Sequence, residues 1–481
     1  MTIHDFFALI PHLIPVIAGI ALMLLEPFTP PERKSRMALI TVLAVAIAAY
    51  CLRFQWSDEP RVLLGGMLVI DNFAIFFQWL FLIIVGVSAV ISMEFNERES
   101  INRGEYYALL LFACCGMSLM AASVDLILTF LGVEILSIAT YILAGFKRTD
   151  IRSNESSLKY FLLGSFATAI LLYGIALIYG GIGSTHYHAI REVAFLQGSV
   201  QTTTLIGMAL LLVGFGFKVA LVPFHSWVPD VYEGAPTPVT AFMAVGPKAA
   251  GFAALTRILV QAFPFLAFDW SSILWVLSIL TMTLGNVVAV LQTNVKRMLA
   301  YSAIAHAGYI LIGIVVNSRE GFSAVLFYLV IYTAMNLVAF SIVLAFSRTG
   351  DSRVHLEDYA GLGRRAPFAA AALSLALLSL AGIPLTGGFI GKLYVFGAAI
   401  QEGYVGLAVI AVLNSVVSVF YYFRVIVYMY MKEPGAESPE PEPVSPLVYA
   451  IIGIGSLFIL LLGLHPDRIL ALAGYSSLAL K

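Results

Sequence analysis

The sequence predicts an all-α polytopic membrane protein with about fourteen transmembrane helices. Three observations carry this. Hydrophobic residues make up 60% of the 481 and charged residues only 11%, against about a quarter charged in soluble globular proteins. The mean hydropathy is +0.94. Apolar runs of 18 or more residues recur along the chain, the length a helix needs to cross a bilayer. The pattern argues against a transmembrane β-barrel, whose signal is short alternating segments and not continuous runs. A net charge of −1 leaves no electrostatic footprint for nucleic acid. Cys51, Cys114 and Cys115 all lie in apolar runs, which points to buried packing and not to a disulfide framework.

The spans are predicted at 6–25, 37–52, 73–93, 105–121, 126–144, 157–179, 204–223, 239–262, 271–291, 298–316, 321–346, 368–401, 404–431 and 446–464. The first lacks a basic leader and ends at Glu26-Pro27, so it reads as a span and not as a cleaved signal. Charged or turn-rich stretches such as PERKSR (31–36), FKRTDIR (146–152) and TGDSRVHLEDYAGLGRR (349–365) separate the runs. The twelfth run would reach about 50 Å as one helix, against a hydrocarbon core of about 30 Å. GIPLTGG (382–388) predicts a break within it. MKEPGAESPEPEPVSP (431–446) reads as an acidic, proline-rich linker before the last span.

Of 27 basic residues, fifteen fall in odd-numbered loops and four in even-numbered ones. The odd loops are therefore expected on the cytoplasmic side of a bacterial inner membrane, with both termini periplasmic. Six bases remain inside spans: Lys159, Lys218, Lys248, Arg257, Lys392 and Arg424. Arg257 and Arg424 lie near span ends, where snorkelling explains them. Lys159 begins the sixth span near its cytoplasmic end, where snorkelling and function are both open. Of 28 carboxylates only Glu134 lies near the centre of a span, about 13 Å beyond Asp125 along the helix.

Charges at that depth are costly and mark ion pathways by default. Glu134, Lys218, Lys248 and Lys392 are thus the candidate relay, with His306 in AYSAIAHAGYILIG (300–313) as a mid-span imidazole that can carry a proton. Burial disfavours an ammonium and a neighbouring carboxylate favours it, so a Glu134–Lys218 pair that forms and opens would hold and then release a proton. His225 and Asp230, in the loop after Pro223, are candidates for where protons enter. No CxxC set and no GxGxxG after a strand is present, and the HYH at 186–188 is a weak metal site. The chain itself is expected to hold no cofactor and no metal.

ALVPFHSW (220–227) resembles AGIPLTGGF (381–389). Glu134 to Lys218 is 84 residues, and His306 to Lys392 is 86. Two five-helix repeats follow, spans 4–8 and 9–13, with breaks in spans 7 and 12. An odd number of crossings inverts one repeat against the other, a transporter architecture. The expected organisation is N-terminal helices at 1–104, repeats at 105–265 and 266–431, a linker at 432–445 and a last helix at 446–481.

Six stretches carry a family resemblance: DLILTFLGVEILSIATYIL (125–143), FGFKVALVPFHSWVPDVYEGAPTPVTAFM (215–243), VGPKAAGF (245–252), NVKRMLAYSAIAHAGYILIG (294–313), GIPLTGGFIGKLYVF (382–396) and YYFRVIVYMYM (421–431). The chain resembles the antiporter-like membrane subunits of respiratory complex I, proton-translocating NADH:quinone oxidoreductase, and within them the N-type branch. The resemblance implies Glu134 and Lys218 as the controlling pair, Lys248 and His306 as the central relay, Lys392 as the terminal site and Lys159 as a secondary titrating lysine. It also implies M-, L-, K-, J-, A- and H-type membrane partners and a hydrophilic NADH-oxidising arm. Flavin, iron–sulfur clusters and quinone would belong to those partners, and lipid would surround the chain. The alternative from the same resemblance is a subunit of an Mrp-type sodium/proton antiporter; a third reading is a structural spacer whose charges only hold helices together.

Overall fold

The computed structural model describes residues 3–197, 200–347, 352–434 and 445–480. The chain opens with two helices, α1 (Ile3–Leu25) and α2 (Met37–Leu52), and a two-stranded antiparallel hairpin, β1 (Arg61–Leu63) and β2 (Leu68–Ile70). Then come α3 (Asn72–Arg98), α4 (Gly104–Ala122), α5 (Leu126–Ala144), α6 (Ile151–Ile182), α7 (Tyr187–Gln197), α8 (Thr202–Val219), α9 (Trp227–Gly234) and α10 (Thr237–Arg257). The second part runs through α11 (Ala267–Val290), α12 (Val295–Val315), α13 (Arg319–Phe346), α14 (Leu362–Arg365), α15 (Pro367–Ala381), α16 (Gly387–Gln401), α17 (Val405–Met431), α18 (Pro446–Leu464) and α19 (Asp467–Ser477).

Helix starts follow local chemistry. Asp71, Asp125, Asp150, Asn294 and Ser318 each accept a backbone N–H of the first turn, which satisfies donors that would otherwise be orphaned. Among the described residues thirteen helices are long and apolar enough to span a membrane. The fourteenth crossing is divided between α15 and α16, each 15 residues and each shorter than the hydrocarbon thickness. The predicted break in the twelfth run is thus real. The bundle is graded: α10, α12 and α13 are 100%, 94% and 89% buried over their apolar windows, while α6 and α18 are 33% and 22% buried. The first three form the axis, and any chemistry on them is shielded from lipid.

Among the described residues five of these elements escape the span count: the hairpin, α7, α9, α14 and α19. All are too short to cross a membrane and lie between or after the crossings. Residues 435–444, most of the expected linker, lie outside the described residues. Cys114 is buried, Cys51 and Cys115 are partly so, and all three thiols are free.

Both breaks use the same backbone device. At the end of α8, Ala220 takes a left-handed conformation (φ 66°), with Ala220 N–H on Phe217 O and Leu221 N–H on Gly216 O. At the end of α15, Gly382 does so (φ 85°), with Gly382 N–H on Ser379 O and Ile383 N–H on Leu378 O. This is the paired-bond helix stop that a left-handed residue permits. Pro223 does not make this break: α8 ends at Val219, four residues earlier, and the Val222–Pro223 peptide is cis.

A second correspondence fixes the register of the two halves. Leu126 N–H bonds Thr185 O and Tyr187 N–H bonds Val124 O, each at 3.0 Å. Val295 N–H bonds Val354 O at 2.7 Å and Leu356 N–H bonds Thr293 O at 3.0 Å. Every residue of the second bridge lies 169 after its counterpart in the first. The bridges pin the starts of α5 and α12 in equivalent ways. Five crossings separate these starts, so they lie at opposite ends of the bundle. We call the part from α4 to α10 half A and that from α11 to α17 half B.

Candidate functional site

Lys218 is the penultimate residue of α8 and is 6% exposed. Its ammonium donates to Ser137 Oγ of α5 at 2.9 Å. Glu134 sits one turn before Ser137 on the same helix, with Oε1 buried and without a hydrogen-bond partner. Among the described residues no ion pair joins Glu134 to Lys218. The expected pair is therefore open here, with the amine on a hydroxyl a turn away from the carboxylate. Placing the two groups together is within reach of a lysine side chain, because residues three apart on a helix share a face.

At the first break the Trp227 indole N–H joins Ala220 N–H on Phe217 O, at 3.1 Å, and Trp227 stacks on Tyr160 with centroids 4.4 Å apart. Pro223 and Ser226 in the connecting turn are exposed, and His225 is half-buried with Nδ1 unpartnered. Burial lowers the His225 pKa, and a backbone hydrogen bond at Pro223 partly offsets this.

Lys248, on α10, is 2% exposed; it donates to Ala303 O of α12 and lies over the Tyr332 ring at 5.5 Å. His306, on α12, is 1% exposed and has a tyrosine on each nitrogen: Tyr328 at Nδ1 (2.9 Å) and Tyr422 at Nε2 (3.2 Å). Tyr422 also bonds Ser302. Lys392, on α16, is 4% exposed and donates to Ala381 O, the carbonyl freed by the second break, and to Ser415 Oγ, both at 2.8 Å. Its ammonium lies 5.0 Å from the Tyr309 ring centre. Ammonium over an aromatic face gains cation–π attraction, most of all when desolvated. These contacts tie Lys218 to α5, link Lys248 to His306 through α12 and the Tyr332 ring, and tie Lys392 to α15 and α17.

Lys159 and Asp230 lie apart from this line. Asp230, on α9, pairs with Lys159 at 2.8 Å and with Arg297 at 2.7 Å. Lys159 also reaches Glu155 at 2.7 Å, and Arg297 reaches Glu233 at 2.8 Å. The cluster lines an open bowl of about 290 Å³. Burial works to raise the Asp230 pKa; the hydrogen bonds and charges of Lys159 and Arg297 outweigh it and hold the carboxyl below its ordinary value. Asp230 is thus a paired anion, an anchor more than a free proton acceptor.

The two arginines read as snorkelling are not. Arg257 is fully buried and grips Asp71 through both terminal nitrogens at 2.7 Å, while Nε donates to Ala121 O. This fork ties α10 to the first turn of α3 and is structural: a buried guanidinium needs a paired carboxylate. Arg424 donates to Val290 O and Gln292 O and caps the end of α11. Sequence reasoning missed the partners Ser137, Tyr328, Tyr422 and Ser415. Ser137 alone had a signal, its one-turn spacing from Glu134; the others come from distant segments. Among the described residues no cluster of three or more His, Cys, Asp or Glu could hold a metal. His186 lies 3.5 Å from Asp125 and His188 is largely exposed.

The family model described as NADH:quinone oxidoreductase/Mrp antiporter, transmembrane region, matches residues 123–418. NADH-quinone oxidoreductase subunit N of Trichlorobacter lovleyi is 47% identical over 97% of this chain and 95% of its own length. Subunit N 1 of Solibacter usitatus is 44% identical over 99% and 98%. Among solved structures, a chain of respiratory complex I from Thermus thermophilus superimposes with a TM-score of 0.83 at 36% identity, covering 96% of this chain and 99% of that one. A chain of the Mrp complex from Dietzia sp. gives 0.87 at 22% identity, covering 100% and 98%, a likeness of fold alone. With buried bases on broken helices and near-full-length identity to N subunits, the chain belongs to the NADH-quinone oxidoreductase subunit N family of antiporter-like membrane proteins.

Proposed function

We propose that this chain carries protons across the membrane as the N-type subunit of NADH:quinone oxidoreductase. Electron transfer from NADH to quinone takes place in partner subunits, which carry flavin and iron–sulfur clusters. Those partners are the M-, L-, K-, J-, A- and H-type membrane subunits and the hydrophilic arm. The single observation that carries the reading is the set of four buried bases on neighbouring helices, each bonded to a hydroxyl or carbonyl and none to a carboxylate. A purely structural helix pair has no use for unpaired ammonium groups at this depth.

The chemistry is a switch followed by a wire. With Lys218 on Ser137, the amine is free to exchange its proton. When Lys218 swings one turn to Glu134, the carboxylate holds the ammonium form. Opening again releases the proton toward Lys248 and His306, and Lys392 is the last station. Protons enter beside His225, where the turn after α8 reaches the surface. Asp230 and Lys159 frame that mouth and fix α9 in place. The basic-loop bias supports a cytoplasmic mouth and periplasmic termini. Repeats at 105–265 and 266–431 are supported by the constant 169-residue offset between the two backbone bridges.

Glu134→Gln and Lys218→Ala in the assembled complex test this. Proton uptake into vesicles and quinone-linked NADH oxidation are expected to fall at least about tenfold, a usual cost of losing a proton-transfer group. NADH oxidation by an artificial acceptor serves to normalise for assembled enzyme. Wild-type pumping in both variants would refute the relay. The Mrp reading is separated by purification: a chain that brings down no NADH-oxidising arm would favour it.

A further inference from the structure

Among the described residues no hydrogen bond joins His306 directly to Lys392. The geometry points to α17 as the connection: Ser415, Ser418 and Tyr422 form a hydroxyl ladder that passes the proton from His306 to Lys392. This rests on the relay reading above and deepens it.

The ladder is anchored at both ends. Tyr422 Oη lies 3.2 Å from His306 Nε2, and Ser415 Oγ lies 2.8 Å from Lys392 Nζ. The three residues stand at i, i+3 and i+7 on α17, one face of a helix. That face turns inward: Ser418 is 1% exposed and Tyr422 0%. Between the same residues, Val416 and Phe420 are 65% and 59% exposed on the opposite side. Ser418 donates to Ser415 O at 2.6 Å, so its polar group is satisfied within its own helix. Nothing in the packing requires that oxygen, since an alanine would leave no unpaired donor. A brace holds the ladder in register: Tyr421 Oη donates to Asn286 Oδ1 at 3.0 Å, and Asn286 Nδ2 donates to Tyr309 Oη at 2.8 Å. The Tyr309 ring in turn faces the Lys392 ammonium.

The transfer conserves protons. The His306 imidazolium gives its Nε2 proton to Tyr422 Oη as Tyr422 passes its own hydroxyl proton onward. Bridging water carries a proton to Ser418 after that hydroxyl rotates off Ser415 O. Ser415 receives it and hands its own to the neutral Lys392 amine, which becomes an ammonium. One proton leaves His306 and one arrives at Lys392, and each hydroxyl resets by rotation.

The test uses the assembled complex in sealed vesicles with Ser418→Ala, Ser415→Ala, Tyr422→Phe and Ser418→Thr. Proton uptake and its solvent isotope effect in D2O are read per assembled enzyme. Ser418→Ala is expected to slow pumping at least about tenfold and to enlarge the isotope effect, and Ser418→Thr to restore both. Tyr422→Phe, which keeps the ring, carries the test if Ser418→Ala lowers assembly. Wild-type pumping with an unchanged isotope effect in Ser418→Ala and Ser415→Ala would overturn the ladder. So would a Ser418→Thr variant as slow as the alanine. Lys392→Ala separates the two levels: if it stops pumping while the ladder variants do not, only the ladder fails. If Lys392→Ala also pumps normally, the relay reading itself fails.

Discussion

Half A and half B share a scaffold and differ where the chemistry sits. The backbone bridges match at a constant offset of 169, and both breaks end in the same left-handed stop. Carried along α5 and α12, that offset sets Glu134 against Ala303 and Ser137 against His306. The register differs by one turn from the sequence expectation, which matched Glu134 with His306. In half A the two positions are a carboxylate and a hydroxyl, and Lys218 can choose between them. In half B they are a carbonyl that receives Lys248 and an imidazole held by two tyrosines. The side chain that seals each stop differs too: the Trp227 indole joins Ala220 N–H on Phe217 O in half A, and Lys392 donates to Ala381 O in half B. Backbone hydrogen bonds tolerate any side chain, so the scaffold persists while the residues on it diverge. The proposed relay thus has its switch in half A and its wire in half B.

The sharpest way to break this contrast is to remove the matched side chains, Ser137 and His306. His306→Gln keeps a hydrogen-bonding side chain among the tyrosines but carries no proton. Proton uptake in the assembled complex is expected to fall at least about tenfold. Ser137→Ala removes one acceptor from Lys218 while Glu134 remains a turn away, so a loss of only a few fold is expected, in line with about 1 kcal/mol for one hydrogen bond. Equal losses would mean that the two positions do the same work.

The backbone stops give a smaller, structural contrast. Ala220 holds a left-handed conformation that an L side chain resists, by roughly 1–2 kcal/mol. Gly382 holds it freely, and a Cβ there would come within 2.9 Å of Lys392 Cδ. Gly382→Ala should therefore destabilise by about 1–2 kcal/mol and displace Lys392. Ala220→Gly should stabilise by up to about 1 kcal/mol, less the added entropy of a glycine in the unfolded chain. Thermal inactivation of the purified complex reads both. A stabilising Gly382→Ala would show that the second stop is not left-handed in the working enzyme.

The sequence carried much of this because a bilayer is a strict solvent. Apolar length alone located the membrane-length helices and the long run that holds α15 and α16. The isolation of Glu134 and the depth of Lys218, Lys248 and Lys392 singled out the charged candidates. What the sequence concealed was partnership across distant segments. Arg257 looked like a snorkelling end residue because its partner Asp71 lies 186 positions away. Ser418 looked like any small residue in a membrane helix. The amphipathic α7 and α9 were lost because short elements between spans carry no apolar run.

The smallest effect probes the seam between the halves. The turn after α15 runs straight into α16, whereas the turn after α8 leads into α9, which reaches across to half B. Asp230 pairs with Lys159 of α6 and Arg297 of α12, and Glu233 reaches Arg297 and Asn294. Because the folded Asp230 carboxyl is held below its ordinary value by those two cations against the opposing effect of burial, its stabilising contribution is full above the ordinary carboxylate range. It is lost as pH falls through the lowered folded value. The pairs are partly exposed, so each contributes no more than about 1 kcal/mol. Hydrogen exchange of the Val231–Gly234 amides, corrected for intrinsic rate, should then show protection that declines at acid pH in the wild type. In Asp230→Asn it should be low at every pH. If that variant keeps wild-type protection near neutrality, Glu233 and Asn294 hold the seam by themselves, and the anchor moves from the α6 side of α9 to the α12 side.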